Sequence, residues 1–196
     1  HEIYVTDPQL LGRPTAAALG FFDGVHKGHE AVVHAAVKAA GQELVPCVFS
    51  FTMDEKRPAC KKDSGLLCTR SIKRQQLLKA GAKMLYVPAF EEFCELSAQQ
   101  FVQRILSDTL HAKVVCCGED YRFGKNASGD VHALRSLCAE QGIRVQVVPS
   151  VQLDGQVVHS TAIRRALRDG DVSLANAMLG RFYNFDFEVI HGRRLG

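Results

Sequence analysis

Residues 20–29, Gly-Phe-Phe-Asp-Gly-Val-His-Lys-Gly-His, decide the fold of this chain. They follow the apolar run 16–19 and precede residues 31–40, whose composition predicts a helix. A strand, a glycine-rich turn and a helix in that order are typical of the place where an α/β sheet binds phosphate. The glycines admit backbone N–H groups, and the helix N-terminus carries a partial positive charge. The glycine spacing matches neither the dinucleotide fingerprint nor the P-loop.

Two histidines, His26 and His29, flank Gly28 at the start of that predicted helix. Two imidazole N–H donors beside a helix N-terminus can hold the α-phosphate of a nucleotide while charge develops on its oxygens, so the turn indicates nucleotidyl transfer. Either histidine could instead cap the helix or lie at the surface, and the pair could ligate a metal ion. The remaining His and Cys residues form no partnering cluster along the sequence, so no metal site is predicted.

The composition is that of one globular domain. The chain has 196 residues, 46% hydrophobic and 23% charged, and its net charge of +3 gives no indication of a nucleic-acid or membrane partner. The seven cysteines are odd in number and lack CxxC spacing, which predicts buried thiols in a reducing compartment. The chain starts without a signal peptide, and no apolar run approaches the roughly 18 residues of a membrane span, so we expect a cytoplasmic protein.

Short apolar runs alternate with helical patterns along the chain, which predicts βαβ units and a parallel sheet covered on both faces. The predicted strands are 16–22, 44–51, 84–87, 114–117 and 145–148, and the predicted helices are 30–40, 71–80, 98–110, 131–140, 162–168 and 172–179. Ser97 and Asp171 are predicted N-caps. Ligands bind beyond the carboxyl ends of such strands, so the loops expected to carry chemistry are 20–29, 52–70, 88–96, 118–130 and the segment after Pro149.

One of these loops, residues 118–124, has the sequence Gly-Glu-Asp-Tyr-Arg-Phe-Gly. The rings of Tyr121 and Phe123 can stack on a flat ligand, and Asp120 can accept a hydrogen bond from a ring N–H or a sugar hydroxyl. The alternative is a solvent loop whose aromatic residues pack on its own base.

Another segment, residues 160–165, Ser-Thr-Ala-Ile-Arg-Arg, opens a predicted helix. The hydroxyls of Ser160 and Thr161, with Arg164 one turn along, would form an anion site for a triphosphate tail. The alternative is a capped amphipathic helix with a surface arginine.

Together these segments resemble the bacterial FAD synthetase family, specifically the N-terminal adenylyltransferase module of the bifunctional riboflavin kinase/FMN adenylyltransferases. Residues 20–29 match the family's Gly-x-Phe-Asp-Gly-Val-His-x-Gly-His, and residues 118–124 match Gly-x-Asp-Phe-x-Phe-Gly with tyrosine for the first phenylalanine. Residues 159–164 match Ser-Ser-Thr-x-Ile-Arg, and residues 179–183 match the Leu-Gly-Arg-x-Tyr that ends the module. The motifs occur in order over nearly the whole chain.

The resemblance implies an α/β fold, a Rossmann-like doubly wound parallel sheet of the HxGH nucleotidyltransferase type, over residues 1–183. Residues 184–190 alternate like an edge strand, and 184–196 resemble the start of a truncated riboflavin kinase domain. This chain is therefore expected to lack kinase activity, with the kinase domain as its C-terminal partner in a full-length chain.

The resemblance also implies a reaction, in which FMN and ATP, the latter with Mg²⁺ held mostly by water, give FAD and pyrophosphate. His26 and His29 would donate to phosphate oxygens, while Ser160, Thr161 and Arg164 would hold the departing pyrophosphate. The implied ATP-binding residues are Gly20, Phe21, Phe22, Asp23, Gly24, His26, Gly28, His29, Ser160, Thr161 and Arg164. The implied flavin-binding residues are Asp120, Tyr121, Phe123 and Gly124. Two alternatives are a related HxGH nucleotidyltransferase with another phosphate acceptor and a non-catalytic nucleotide- or flavin-binding module.

Three departures from the family pattern concern the site. Phe21 stands where many members have asparagine, and His159 replaces the first serine of Ser-Ser-Thr. Residues 52–58 lack the usual Asp-Pro-His-Pro run, which lies beside the flavin in relatives. The flavin contacts therefore have the least support from the sequence.

Overall fold

The computed structural model describes residues 2–53 and 65–186, which build a six-stranded sheet. Its strands are β1 (Glu2–Val5), β2 (Thr15–Leu19), β3 (Val45–Phe49), β4 (Met84–Val87), β5 (Ala112–Gly118) and β6 (Arg144–Val148). They lie in the order β1-β4-β3-β2-β5-β6; β1 is antiparallel to β4, and the other pairs are parallel. This confirms the predicted Rossmann-like α/β sheet, and its strand order reverses between β2 and β5.

Helices cover both faces of the sheet. They are α1 (Lys27–Ala40), α2 (Arg70–Lys79), α3 (Ala98–Phe101), α4 (Val131–Glu140), α5 (Ser160–Arg168) and α6 (Val172–Leu179). The predicted N-caps Ser97 and Asp171 are confirmed, since each side chain accepts a hydrogen bond from the first turn of its helix. No helix among these residues is both long and apolar enough to cross a membrane.

Several predicted boundaries are wrong for identifiable reasons. The strand predicted at 16–22 corresponds to β2. It ends at Leu19 because the chain turns at Phe22, whose φ is +55°. The helix predicted at 98–110 continues beyond Phe101 as a π-helix, Val102–Thr109, which the side-chain pattern did not distinguish from an α-helix. Helices α1 and α5 begin earlier than predicted, since a histidine caps each.

Two structural features were not predicted, and one prediction lies mainly outside the described residues. Strand β1 is mostly exposed, and the hairpin of β7 (Gln152–Leu153) and β8 (Gln156–Val157) is very short, so neither has an apolar pattern. Residues 184–186 are not in a strand, and the remainder of the predicted edge strand 184–190, like residues 191–196, lies outside the described part.

Strand β2 runs through the centre of the core. Alternate residues belong to the hydrophobic clusters on opposite faces of the sheet, Ala17 and Leu19 on one and Ala16 and Ala18 on the other. The turn 20–29 therefore leaves from the most buried strand. A third cluster joins α5 and α6.

The predicted burial of the cysteines is confirmed for most of those described. Cys47, Cys68, Cys116, Cys117 and Cys138 are buried free thiols.

Candidate active site

The turn after β2 is held in a strained conformation. Gly24 has a φ of +81° and Val25 a φ of +41°, a region that a β-branched residue rarely adopts. A Cβ on Gly24 would also lie 2.9 Å from the Leu67 side chain, so glycine is required there. The ring of Phe22 is buried beneath Gly20. Both residues are predicted to bind ATP, and they can do so only through their backbone atoms.

Side chains from distant elements hold the start of the turn. The carbonyl of Phe21 accepts from Ser50 Oγ at 3.0 Å and from Lys73 Nζ at 2.9 Å. The Lys73 ammonium also lies 4.2 Å from the centroid of the Phe21 ring. Sequence reasoning missed Lys73, because nothing in α2 indicates that it reaches the turn.

Asp23 joins the turn to α5. One carboxylate oxygen accepts from the backbone N–H of Leu67 at 2.9 Å, and the other forms an ion pair with Arg164. The hydroxyl of Ser160 donates to the Asp23 carbonyl at 3.0 Å. The structure thus brings together the two segments that the sequence singled out.

This contact changes the roles expected of the residues in α5. The Nη2 of Arg164 pairs with the Asp23 carboxylate and its Nε donates to the carbonyl of Gly65, while the Ser160 hydroxyl donates to the Asp23 carbonyl. A buried carboxylate requires such a partner. Thr161 is exposed in the first turn of the helix, beside the Ser160 tether.

His26 caps α1 and is 5% exposed. Its Nδ1 accepts from the backbone N–H of His29 at 3.3 Å, so a neutral ring carries its proton on Nε2 and can donate it. The His26 and His29 rings stack with centroids 3.6 Å apart. A Cβ on Gly28 would lie 3.2 Å from the His26 ring and 3.3 Å from the Val158 carbonyl, so this glycine permits both approaches.

The environment of His26 keeps its ring neutral. Burial lowers the pKa of His26 to about 4, and the charges of His159 and Arg181 act in the same direction. His159 caps α5, where its Nδ1 accepts from the backbone N–H of Ala162 at 3.1 Å. The sequence carried a signal for His159, namely its departure from the family's serine, but its place beside His26 was not predicted.

The N-termini of α1 and α5 therefore adjoin one another. Gly28 in α1 approaches Val158, just before α5, and Ser160 at the start of α5 bonds to the turn before α1. Helix N-termini attract anions through their free N–H groups and partial charge. With the Nε2–H of His26, the arrangement can bind the oxygens of more than one phosphate.

The loop 118–130 follows β5, the neighbour of β2, and so leaves the same edge of the sheet. Phe123, which the sequence predicts to stack on a flat ligand, is 5% exposed, and its ring packs on Phe101 at 5.5 Å and against Tyr121 at 5.9 Å between centroids. The partly buried Tyr121 forms the outer ring, and burial raises its pKa. A Cβ on Gly124 would lie 2.8 Å from the backbone nitrogen of Ala98, so only glycine fits there, while Asp120 is exposed.

A half-buried aromatic group, missed by sequence reasoning, lies beyond β2, β3 and β4. The Phe51 ring is 4.9 Å from Phe21, 5.6 Å from Phe90 and 5.3 Å from Phe93, between centroids. The departure at Phe21 from the family's asparagine was its only signal. Such a group offers a flat apolar surface beside the phosphate turn.

The described residues contain no group of three His, Cys, Asp or Glu side chains suited to a metal ion. The carboxylate of Asp23, the one nearest His26 in sequence, is already paired with Arg164.

Comparisons with known proteins identify the family of the chain. A family model described as FAD synthetase matches residues 10–162. The bifunctional riboflavin kinase/FMN adenylyltransferase of Listeria monocytogenes is 36% identical over 186 residues, covering 91% of this chain and 58% of the relative. The protein of the same name from Pseudomonas fluorescens is 34% identical, covering 93% and 60%. The chain thus spans about three fifths of the length of these curated relatives.

A solved structure shares the fold. It is described as a macrolide-efflux protein from Streptococcus pneumoniae, superposes with a TM-score of 0.74 at 28% identity, and covers 90% of this chain and 57% of its own.

Proposed function

The chain belongs to the FAD synthetase family, and on that premise we propose that it is an FMN adenylyltransferase, which makes FAD and pyrophosphate from FMN and ATP. The observation that carries this proposal is the contact of Asp23 with Ser160 and Arg164, which joins two helix N-termini beside the stacked histidines. A triphosphate lying across both helix starts would present its α-phosphate to His26.

The reaction needs positioning and charge stabilisation rather than a covalent intermediate. An oxygen of the FMN phosphate attacks the α-phosphorus of ATP, and the bond to the bridging oxygen of pyrophosphate breaks, with its electron pair leaving on pyrophosphate. The nucleophile is already an anion, so no side chain has to remove a proton. His26 donates its Nε2–H to an oxygen that gains charge, and His29 holds that ring by stacking on it.

The pyrophosphate would leave across the start of α5, where Thr161 and the backbone N–H groups are available. Ser160 acts through Asp23, to which its hydroxyl donates, and Arg164 holds the same residue through its Nη2. The nucleotide substrate is MgATP, whose Mg²⁺ we expect to be held by phosphate oxygens and water, and it supplies charge neutralisation on the phosphates.

The flavin ring would lie between the loop 118–124 and the half-buried aromatic group. Tyr121 and Asp120 are the members of the loop that remain accessible, while Phe123 supports Tyr121 from below. Phe21 and Phe51 provide an apolar surface on the other side.

The wider setting is part of the same proposal. The longer polypeptide would also carry riboflavin kinase activity, as the names of the relatives state for those proteins, and so supply FMN to this site. The buried free thiols support a reducing, cytoplasmic location. We propose no nucleic-acid or membrane partner.

The test is product formation. The chain is incubated with MgATP and FMN, and FAD and pyrophosphate are measured by chromatography. Parallel samples replace FMN by nicotinamide mononucleotide or pantetheine phosphate, and His29→Ala serves as the site variant with exposed Arg165→Gln as its control. Adenylylation of another acceptor would favour a related nucleotidyltransferase, and FMN binding without turnover would favour a binding module; either result contradicts the proposal.

A further inference from the structure

Arg181 reaches back to the phosphate turn from the motif 179–183, which lies beyond the residues that the family model matches. Its Nη1 donates to the carbonyl of Val25 at 2.8 Å, and its Nη2 donates to the carbonyl of Gly24. Nη1 also lies 3.4 Å from the carbonyl of Leu179. One guanidinium thus holds two successive carbonyls of a turn that precedes it by 156 and 157 residues.

Those two carbonyls belong to the strained part of the turn. Val25 keeps a φ of +41° only because its surroundings determine it, and Gly24 is at +81°. A peptide plane that is free to rotate would relieve this strain and could turn a carbonyl oxygen toward the substrate phosphates, which it would repel. The fixed fork of a guanidinium suits the holding of two adjacent oxygens.

Arg181 forms no ion pair within the part of the chain that the structure describes. Its hydrogen bonds go to carbonyls, and its Nε is buried without a hydrogen-bond partner in the ranges 2–53 and 65–186. Burial lowers the pKa of Arg181, opposed by Cys68 and by the Glu30 carboxylate.

The field of this cation acts on the catalytic histidine. Arg181 is among the charges that disfavour protonation of His26, next to the larger effect of burial. It therefore helps to keep His26 a neutral donor while adding positive charge behind the turn that receives the phosphates.

We propose that Arg181 is a positioning residue for adenylyl transfer: by holding the Gly24 and Val25 carbonyls it fixes the turn that aims His26 and the N-terminus of α1 at the nucleotide phosphates. This inference rests on the proposed function for its substrate. It acts on the triphosphate side of the site, so its loss should affect ATP and turnover rather than FMN.

The kinetic test compares the wild type with Arg181→Met, Arg181→Lys and the control Arg165→Met, varying ATP and FMN in turn. We expect Arg181→Met to lower kcat about thirtyfold and to raise the KM for ATP, with the KM for FMN unchanged. Arg181→Lys should be intermediate, because an ammonium cannot hold both carbonyls in one geometry. Arg165→Met should behave as the wild type. Thermal melts check that each variant is folded, and if Arg181→Met is not, the lysine variant decides.

A second measurement does not depend on activity. Amide hydrogen exchange of residues 22–26 should be about tenfold faster in Arg181→Met and unchanged in Arg165→Met, while the amides of β5 stay the same in both. A wild type that makes no FAD contradicts the proposed function. The exchange experiment then still tests whether Arg181 holds the turn through the Gly24 and Val25 carbonyls. An active wild type with near-normal kcat in both Arg181 variants overturns the inference, as does an equal rise in both KM values. Faster exchange with unchanged kcat also overturns it.

Discussion

His26 combines two roles that chemistry allows to be separated. Through Nδ1 it accepts from the His29 backbone and caps α1, and through Nε2–H it would donate to the substrate. Asparagine can replace the first role, because its side-chain oxygen is among the preferred N-caps, but its amide cannot reach where Nε2 lies. Alanine removes both roles.

We therefore expect His26→Asn and His26→Ala to differ in stability but not in activity. Both should lower kcat about a hundredfold, since a donor aimed at developing charge acts mainly on the transition state. Only the alanine variant should lose about 1 kcal/mol of unfolding free energy through the missing cap. Urea unfolding and steady-state kinetics measure the two effects. A variant of either kind with normal kcat would remove His26 from the mechanism.

The lowered pKa of His26 also predicts a pH dependence of stability. Its pKa is about 4 in the folded chain and 6.5 in the unfolded chain, so the unfolded state binds the proton first as the pH falls. The stabilisation is complete above pH 6.5 and is lost between pH 6.5 and 4, by up to about 3 kcal/mol. His26→Asn should reduce this fall, whereas His34→Asn, which removes an exposed imidazole from the same helix, is the control. If the free energy of unfolding fell equally with pH in the wild type and in His26→Asn, the lowered pKa of His26 would not be the cause of the fall.

At the scale of elements, α5 is positioned by one of two successive arginines. Residues adjacent on a helix point about 100° apart, so Arg164 faces Asp23 while Arg165 faces solvent. The Nε of Arg165 lies 3.7 Å from a carboxylate oxygen of the exposed Asp169. The buried pair orients α5 toward the turn, and the exposed pair has little influence on it.

Arg164→Gln should therefore destabilise the chain by about 3 kcal/mol, because it leaves the buried Asp23 carboxylate unpaired, and it should lower turnover as well. Arg165→Gln should change neither. Asp23→Asn combined with Arg164→Gln should recover stability without recovering turnover, since two neutral amides remove the unpaired charge but do not hold α5 in the same place. Denaturant unfolding and turnover are measured for the wild type, the two single arginine variants and the double variant. An equal loss from both single arginine variants would mean that α5 is oriented differently.

Local patterns predicted the elements of this site better than its contacts. Glycines and histidines in 20–29 identified a phosphate turn, because backbone approach and helix-start charge are local properties. The pairing of Asp23 with Arg164 joins residues 141 apart, and no local pattern encodes it. Phe123 lies in a loop, where an aromatic ring would be expected to be accessible, yet tertiary packing buries it. Histidine is not among the usual N-caps, which explains why the start of α1 was placed too late.

At the scale of the molecule, the site joins two structural units. The sheet and its flanking helices hold two hydrophobic clusters, whereas α5 and α6 share a third with Leu67 and Val158. Hydrogen bonds from Ser160, Arg164 and Arg181 connect this second unit to the turn after β2. Polar contacts therefore carry much of the attachment of α5 and α6.

Native-state hydrogen exchange should reveal this division. We expect the amides of α5 and α6 to open at a lower free energy than those of β2 and β5, because the third cluster is smaller and its attachment more polar. Arg164→Gln should lower the opening free energy of α5 and α6 further and leave β5 unchanged, with Arg165→Gln as the control. Opening of all four elements at one free energy would contradict the division into two units.

The long sequence separation of these bonds has a consequence for synthesis on the ribosome. The turn emerges 137 to 157 residues before the side chains that hold it. At about 5 to 20 residues per second this is a delay of about 7 to 30 s, long enough for β2 to β5 to form a sheet first. Stalled nascent chains exposing residues up to 150 or up to 186 should differ in protease cleavage near residue 24, and equal cleavage would contradict this order. We expect newborn chains to remain unable to engage nucleotide until α5, α6 and Arg181 have been translated.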